Sequence, residues 1–304
     1  MSYFFYPGCS LDSTARDFRL STEAVARALG LDLPELPDWT CCGSTAAHQS
    51  DPLLSLALPA KNLLAASGRT VAVCCAACYS RLKTANHRIA NAPEARGQVA
   101  GVLGADYDGS TPVKHVLEIM RDEVGLDEIA TRVRAPLTGL RVAAYYGCLL
   151  VRPPDVVRFD DPENPTLLDN VLQAAGAEPV EWSHKTECCG ASCSITKVEI
   201  VERLAREILT MARDSGADCI ATACPLCQIN LDMRQKDIEA RSGERLGLPV
   251  LYFTQLLGLA LGLKPGELGL RSLMVDPMPM LARKGIAAGR SPAAAVPASV
   301  SEQG

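Results

Sequence analysis

Hydrophobic and polar positions follow two rhythms along most of this chain. Short, nearly continuous apolar runs at residues 2–6, 70–74, 141–146, 218–223 and 250–253, each bounded by turn-forming residues, predict buried strands. Between them, apolar residues recur at helical spacing over 13–29, 53–66, 79–90, 113–123, 167–175, 195–215 and 228–239, which predicts helices with one buried face. Gly30, Gly68, Gly176 and Gly216 stand where such helices would end. Pro59 is expected to kink the second helix, and Thr254 to cap a last one running through Leu261. Strands alternating with helices of this length predict parallel sheets in an α/β architecture. From about Ser272 the pattern fades into Asp276-Pro-Met-Pro-Met280 and an Ala/Pro/Ser-rich stretch with little to bury. That end is expected to be a mostly disordered tail.

The rhythm runs twice, and cysteines mark the same places each time. In the first round Tyr6-Pro7-Gly8-Cys9 ends a strand, Cys41-Cys42-Gly43 follows, and Cys75-Ala76-Ala77-Cys78 comes after the strand at 70–74. In the second, Tyr146-Gly147-Cys148 ends a strand, Cys188-Cys189-Gly190 follows, and Cys224-Pro225-Leu226-Cys227 comes after the strand at 218–223. Order, neighbours and strand context all match. The chain is therefore expected to form two pseudo-repeated open parallel-sheet domains, 1–135 and 136–271, each carrying a CCG cysteine motif, followed by the tail at 272–304.

Composition agrees with this. With 48% apolar and 21% charged residues, the 304-residue chain has the balance of a soluble globular protein, long enough for two cores. A net charge of −5 without a basic run gives no grip on nucleic acid. The first residues lack a basic segment and a long apolar run, and no apolar stretch approaches the length of about eighteen residues that spans a membrane. A soluble, cytoplasmic protein is expected. Thirteen cysteines sit oddly in that compartment unless they serve metal or redox chemistry, because disulfides rarely persist there.

Their positions suit such chemistry. In open α/β sheets, sites gather beyond the carboxyl ends of the strands, where Cys9, Cys75, Cys148 and Cys224 lie. A helix starting just after each CxxC pair favours thiolate and an anionic group, and Gly43 and Gly190 allow the chain to turn beside the paired cysteines. A zinc site uses four ligands, and CxxC is a common half of one. Five cysteines per repeat, two of them adjacent, fit an iron–sulfur cluster better; zinc and a dithiol redox pair remain the alternatives.

The doubled C…CCG…CxxC pattern resembles the B subunit of heterodisulfide reductase and the wider CCG-domain iron–sulfur protein family, over about residues 1–262. The resemblance implies two noncubane 4Fe-4S clusters. One would be held by Cys9, Cys41, Cys42, Cys75 and Cys78, the other by Cys148, Cys188, Cys189, Cys224 and Cys227, with a disulfide substrate cleaved between them. It implies an enzyme, a disulfide oxidoreductase subunit, working with an iron–sulfur protein resembling heterodisulfide reductase C and a flavoprotein resembling heterodisulfide reductase A. A bacterial sulfur-oxidising complex is one expected setting. The alternative is a non-catalytic iron–sulfur electron-transfer subunit that links a dehydrogenase to a quinone pool.

Outside the pattern, Cys219 lies in an apolar strand and Cys74 ends another, so both are expected to pack in the core. Cys193, close behind Cys189, is the candidate substrate-side thiol. His48 and His184 flank the two CCG motifs and are candidate proton donors to thiolates, with His87 and His115 behind them. Arg81 and Lys114 are candidates for neutralising an anionic substrate or cluster.

Overall fold

The computed structural model describes residues 3–44 and 46–286. Seven short strands form two parallel sheets: β1 (Tyr3–Tyr6), β2 (Thr70–Val73) and β3 (Val113–His115) in one, and β4 (Arg141–Tyr145), β5 (Glu178–Pro179), β6 (Cys219–Thr222) and β7 (Val250–Tyr252) in the other. The orders are β1-β2-β3 and β5-β4-β6-β7, so β1, β2 and β3 match β4, β6 and β7. Even the edge recurs: β5 runs parallel beside β4, and Glu35 forms a parallel bridge to Phe5 in the same place beside β1. The two α/β halves are one motif folded twice.

Buried β-branched and aromatic residues explain the strands. All four residues of β1 and of β6 are buried, as expected where helices cover both faces of a parallel sheet. The halves are fastened through helix Arg16–Ala28 of the first and helix Phe253–Ala260 of the second. Phe18 stacks on Tyr252 with ring centroids 4.0 Å apart and planes within 3°, and Ser21 Oγ lies 2.7 Å from Thr254 Oγ1.

Four expectations need correction. Helix Phe253–Ala260 has Tyr252 at its N-cap, so Thr254 lies inside it and does not cap it. Residues 113–123 begin as strand β3, and only then turn into helix Val116–Ile119 and a wider π turn at Met120–Val124. A short apolar run does not distinguish strand from helix, and pairing with β2 decides the matter. Residues 228–239 divide at Arg234 between helices Pro225–Met233 and Gln235–Ser242. The tail also starts later than residue 272. Asp232 accepts hydrogen bonds from the amides of Met274 (2.7 Å) and Val275 (3.0 Å), Met280 and Leu281 of helix Met278–Arg283 are buried, and Lys284 pairs with Asp218 at 2.6 Å. Two or three anchors suffice to order a segment whose composition offers few. The stretch from 287 onward lies outside the described residues.

Candidate functional site

The cysteine loops emerge from the carboxyl ends of β1, β2, β4 and β6, and each half builds its site with the same parts. A tyrosine at the strand end ties down the approach to the paired cysteines. Tyr6 donates to the carbonyl of Thr40 (2.8 Å) and Tyr145 to that of Glu187 (2.7 Å), the residues just before Cys41 and Cys188. Gly8 and Gly147 both sit at a φ of 66°, and a Cβ there would meet Cys78 Sγ at 3.2 Å and Cys227 Sγ at 2.9 Å. Only glycine lets the backbone come so near the sulfur. Gly43 and Gly190 are also left-handed, at 73° and 77°, and their amides donate to Cys41 Sγ (3.4 Å) and Cys188 Sγ (3.3 Å).

The CxxC pairs are set by helices. Cys75 and Cys224 stand at the N-cap positions of helices Ala76–Asn91 and Pro225–Met233, which places Cys78 and Cys227 in the first turn, where contact with Cys42 and with Cys189 pushes their thiols well up. Sulfurs then meet in matching pairs. Cys41 lies 3.7 Å from Cys9, Cys42 3.2 Å from Cys78, and Cys189 3.6 Å from Cys227. Two contacts, Cys9 with Cys41 and Cys148 with Cys188, push one thiol up and the other down. The contact with Cys42, then that with Cys9, drives Cys41 far below the ordinary thiol range, while the contact with Cys41 pushes Cys9 up. Likewise Cys148 brings Cys188 down to about 6 and is itself raised. Cys75 and Cys224 interact across the join between the halves, which raises Cys75.

Each cysteine set surrounds one cavity. Cys9, Cys41, Cys42, Cys75 and Cys78 all line a space of about 490 Å³. Cys148, Cys188, Cys189, Cys224 and Cys227 all line a neighbouring space of about 100 Å³. Ser44, Ala77, Ala191, Ser192 and Leu226 border both, so the cavities abut along a seam. Among the described residues, no three His, Cys, Asp or Glu side chains are gathered to hold a single metal ion. The thiols instead ring open space in pairs, a donor set that fits a group of several metal atoms, and Gly8 and Gly147 keep their share of that space free of side chain.

The other sequence candidates fall elsewhere. Cys74 points away from the cavities, fully buried with its Sγ 3.5 Å from Thr22 Oγ1, and Cys219 is a buried core residue in β6. His48 is exposed on helix Ala46–Ser50 and lines neither cavity. His184 stacks near Trp182 and borders a separate charged groove of about 560 Å³. Cys193 ends the short turn Ala191–Cys193, half-buried, and its neighbours Ser192 and Ser194 line the cavities instead. Lys114 pairs with Asp122 at 2.9 Å. Arg81 does line the second cavity.

Sequence reasoning missed what supports the thiols. His115 is fully buried, and its Nδ1 accepts from the Leu117 amide (3.2 Å), which leaves Nε2 to donate toward the carbonyls of Cys74 (2.9 Å) and Ala223 (3.3 Å). Those residues immediately precede Cys75 and Cys224, so one imidazole braces both CxxC loops. Burial lowers its pKa to about 4, which keeps the ring neutral. Asn230 Nδ2 donates to the Cys189 carbonyl (3.2 Å) and to Cys189 Sγ (3.6 Å), and Asn230 Oδ1 accepts from Ser194 Oγ (2.9 Å). The only advance signal for Asn230 was its place one helical turn beyond Cys227.

A protein-family model for the CCG cysteine-rich domain matches residues 3–83 and, again, 142–232, the segments that hold the two cysteine sets. The chain belongs to the CCG cysteine-rich domain family. Its similarity to two relatives runs nearly end to end. It is 34% identical over 281 residues to the 8-methylmenaquinol:fumarate reductase membrane anchor subunit of Wolinella succinogenes, covering 90% of this chain and 97% of that one. It is 31% identical over 285 residues to the B subunit of the ferredoxin:CoB-CoM heterodisulfide reductase of Methanosarcina mazei, covering 91% and 94%. The fold also matches a hypothetical protein from Helicobacter pylori, with a TM-score of 0.72 at 13% identity, over 90% of this chain and 52% of that one. The protein is thus a heterodisulfide-reductase-like CCG subunit. Among the described residues no helix is long and apolar enough to cross a membrane.

Proposed function

We propose that this chain is a catalytic subunit of the heterodisulfide reductase B type, holding two noncubane 4Fe-4S clusters and cleaving or forming a disulfide at the seam between them. Cys9, Cys41, Cys42, Cys75 and Cys78 would hold one cluster, and Cys148, Cys188, Cys189, Cys224 and Cys227 the other. The supporting observation is that each set lines its own cavity and that the two cavities share a wall. Splitting one disulfide into two thiols takes two electrons and two protons; the reverse releases them. Bound clusters would supply or accept those electrons singly, exchanging them with an iron–sulfur protein resembling heterodisulfide reductase C and a flavoprotein resembling heterodisulfide reductase A. The protein's part is positional. Tyr6, Tyr145 and His115 fix the cysteine loops, and the glycines open room beside the sulfurs. A bacterial sulfur-oxidising complex is the proposed setting.

A second reading rests on the 34% identity to a protein named for menaquinol:fumarate reduction: an electron-transfer subunit that links a dehydrogenase to a quinone pool, with no substrate of its own. Purification without oxygen separates the two. About eight iron and eight acid-labile sulfide per chain, with an EPR signal of the oxidised protein altered by added thiol, supports the disulfide chemistry. Full clusters blind to thiols favour the relay. Zinc in place of iron sinks both.

A further inference from the structure

The two cysteine sites share their tyrosines and glycines but are braced by different chemistry. In the second half the carbonyl of Lys185, three residues before Cys188, accepts from the amides of Tyr146 (2.9 Å) and Gly147 (3.1 Å), the residues just before Cys148. The Lys185 ammonium, with only 4% of its side chain exposed, pairs with Asp169 at 3.0 Å. Asp169 in turn accepts from the Tyr146 hydroxyl (2.6 Å). That hydroxyl takes the amides of Leu168 (2.8 Å) and Asp169 (3.2 Å) in the first turn of helix Leu167–Ala174. From Tyr146 to Lys185 to Asp169 and back to Tyr146 the contacts form a closed ring. It ties the approach to Cys148 to the approach to Cys188, and Tyr146 lines the second cavity.

The first half cannot build that ring. At the matching places stand Pro7, two before Cys9, and Asp38, three before Cys41. Proline has no amide hydrogen to give, and Asp38 is exposed. The brace here is Asn62, fully buried in helix Leu54–Ala65. It accepts from the Thr40 amide (2.7 Å) and donates to the carbonyls of Thr40 (3.0 Å) and Leu58 (3.1 Å), which pins the residue before Cys41. A neutral amide does for one site what a buried ion pair does for the other. Stability alone is a weak reason to bury an ammonium with a carboxylate, because desolvation offsets most of their attraction. Holding two cysteine loops in one position is a better one.

We propose that Lys185 and Asp169 are positioning residues of the second cysteine site and Asn62 of the first, so that each site's hold on its bound group is set separately. The inference rests on the cluster reading and deepens it: either site can be loosened without touching a cysteine.

The test loads the full chain with iron and sulfide without oxygen, withdraws iron with a chelator, and labels the freed cysteines with iodoacetamide for mass spectrometry. In Lys185→Met one site's iron is expected to leave roughly tenfold faster than in wild type, as befits one lost hydrogen bond to a charged group. Label should appear first on Cys148, Cys188 and Cys189. Asn62→Ala should free Cys9, Cys41 and Cys42 first, and the combined variant should release both sites fast. Lys185→Arg should stay near the wild-type rate. Because Lys185→Met strands the Asp169 carboxylate, it is also made together with Asp169→Asn, which keeps an acceptor for Tyr146 and leaves no lone charge. That double variant should still free the second set first. Wild-type release rates in these variants overturn the proposal, and so does label reaching both sets together, which would mean a role in the fold at large. A wild-type chain that takes up no iron fails the cluster reading instead. Labelling of the metal-free chain then decides: a gain confined to Cys148 and Cys188 in Lys185→Met upholds the brace, and an equal gain at Cys9 and Cys41 overturns it.

Discussion

Cys74 and Cys75 are adjacent and have opposite fates. One packs against Thr22; the other faces the cavity of the first set and, across the join, Cys224. The CxxC spacing favours Cys75, and the structure agrees, since Cys75 is the extended N-cap of helix Ala76–Asn91 and lines the cavity while Cys74, just past the end of β2, turns to Thr22. If each set holds its own cluster, Cys42→Ser and Cys189→Ser should each lower iron from about eight to about four per chain, measured after anaerobic reconstitution; a loss of all iron from either would mean the sites fill only together. Gly147 is less forgiving than most glycines, because at φ 66° and ψ −177° it occupies backbone space that side chains avoid. Gly147→Ala should cost about 1–3 kcal/mol from strain alone and also push on Cys227 Sγ. The expected outcome is a lower melting temperature together with selective loss of iron from the second site.

Helices and strands set the pH response. Asp17, in the first turn of helix Arg16–Ala28, faces Gln255 of the other half with only 7% of its surface exposed. Burial pushes its carboxyl up to about 6, so the folded chain holds that proton more tightly than the unfolded chain, whose value is about 4. Stability from this group is therefore fullest below pH 4 and declines as pH rises through about 6, by at most about 3 kcal/mol. Asp17→Asn should raise the melting temperature at pH 7, leave it nearly unchanged at pH 4, and flatten the slope between. At this scale the long elements were legible. Helix Val198–Asp214 and strands β1, β2, β4, β6 and β7 fall within a few residues of their expected places. The shorter pieces were not, for β3 exists only through its ladder to β2.

The two halves behave as one body because their cores are sewn together. Phe18 on Tyr252, Ser21 with Thr254, and His115 between the Cys74 and Ala223 carbonyls all cross from one half to the other. Phe18→Ala removes a fully buried ring and should destabilise the fold by about 3–5 kcal/mol. In chemical denaturation the loss should appear as one earlier transition; two separate transitions would show that the halves fold independently. The seam lined by both cysteine sets depends on that union.

The sequence by itself determined the alternation of strands and helices, the doubled cysteine order and its place at strand ends, because each of these is written within a few neighbouring residues. Tertiary structure alone decided which thiols share a cavity, that the two cavities meet, that His115 and Asn230 brace the cysteine loops, and that His48 and His184 lie outside both cavities. His115 meets a carbonyl 108 positions away, and Asn230 a cysteine 41 positions back. No local pattern encodes such meetings; they follow from how the two halves pack together, a choice made by the buried surface of the whole chain.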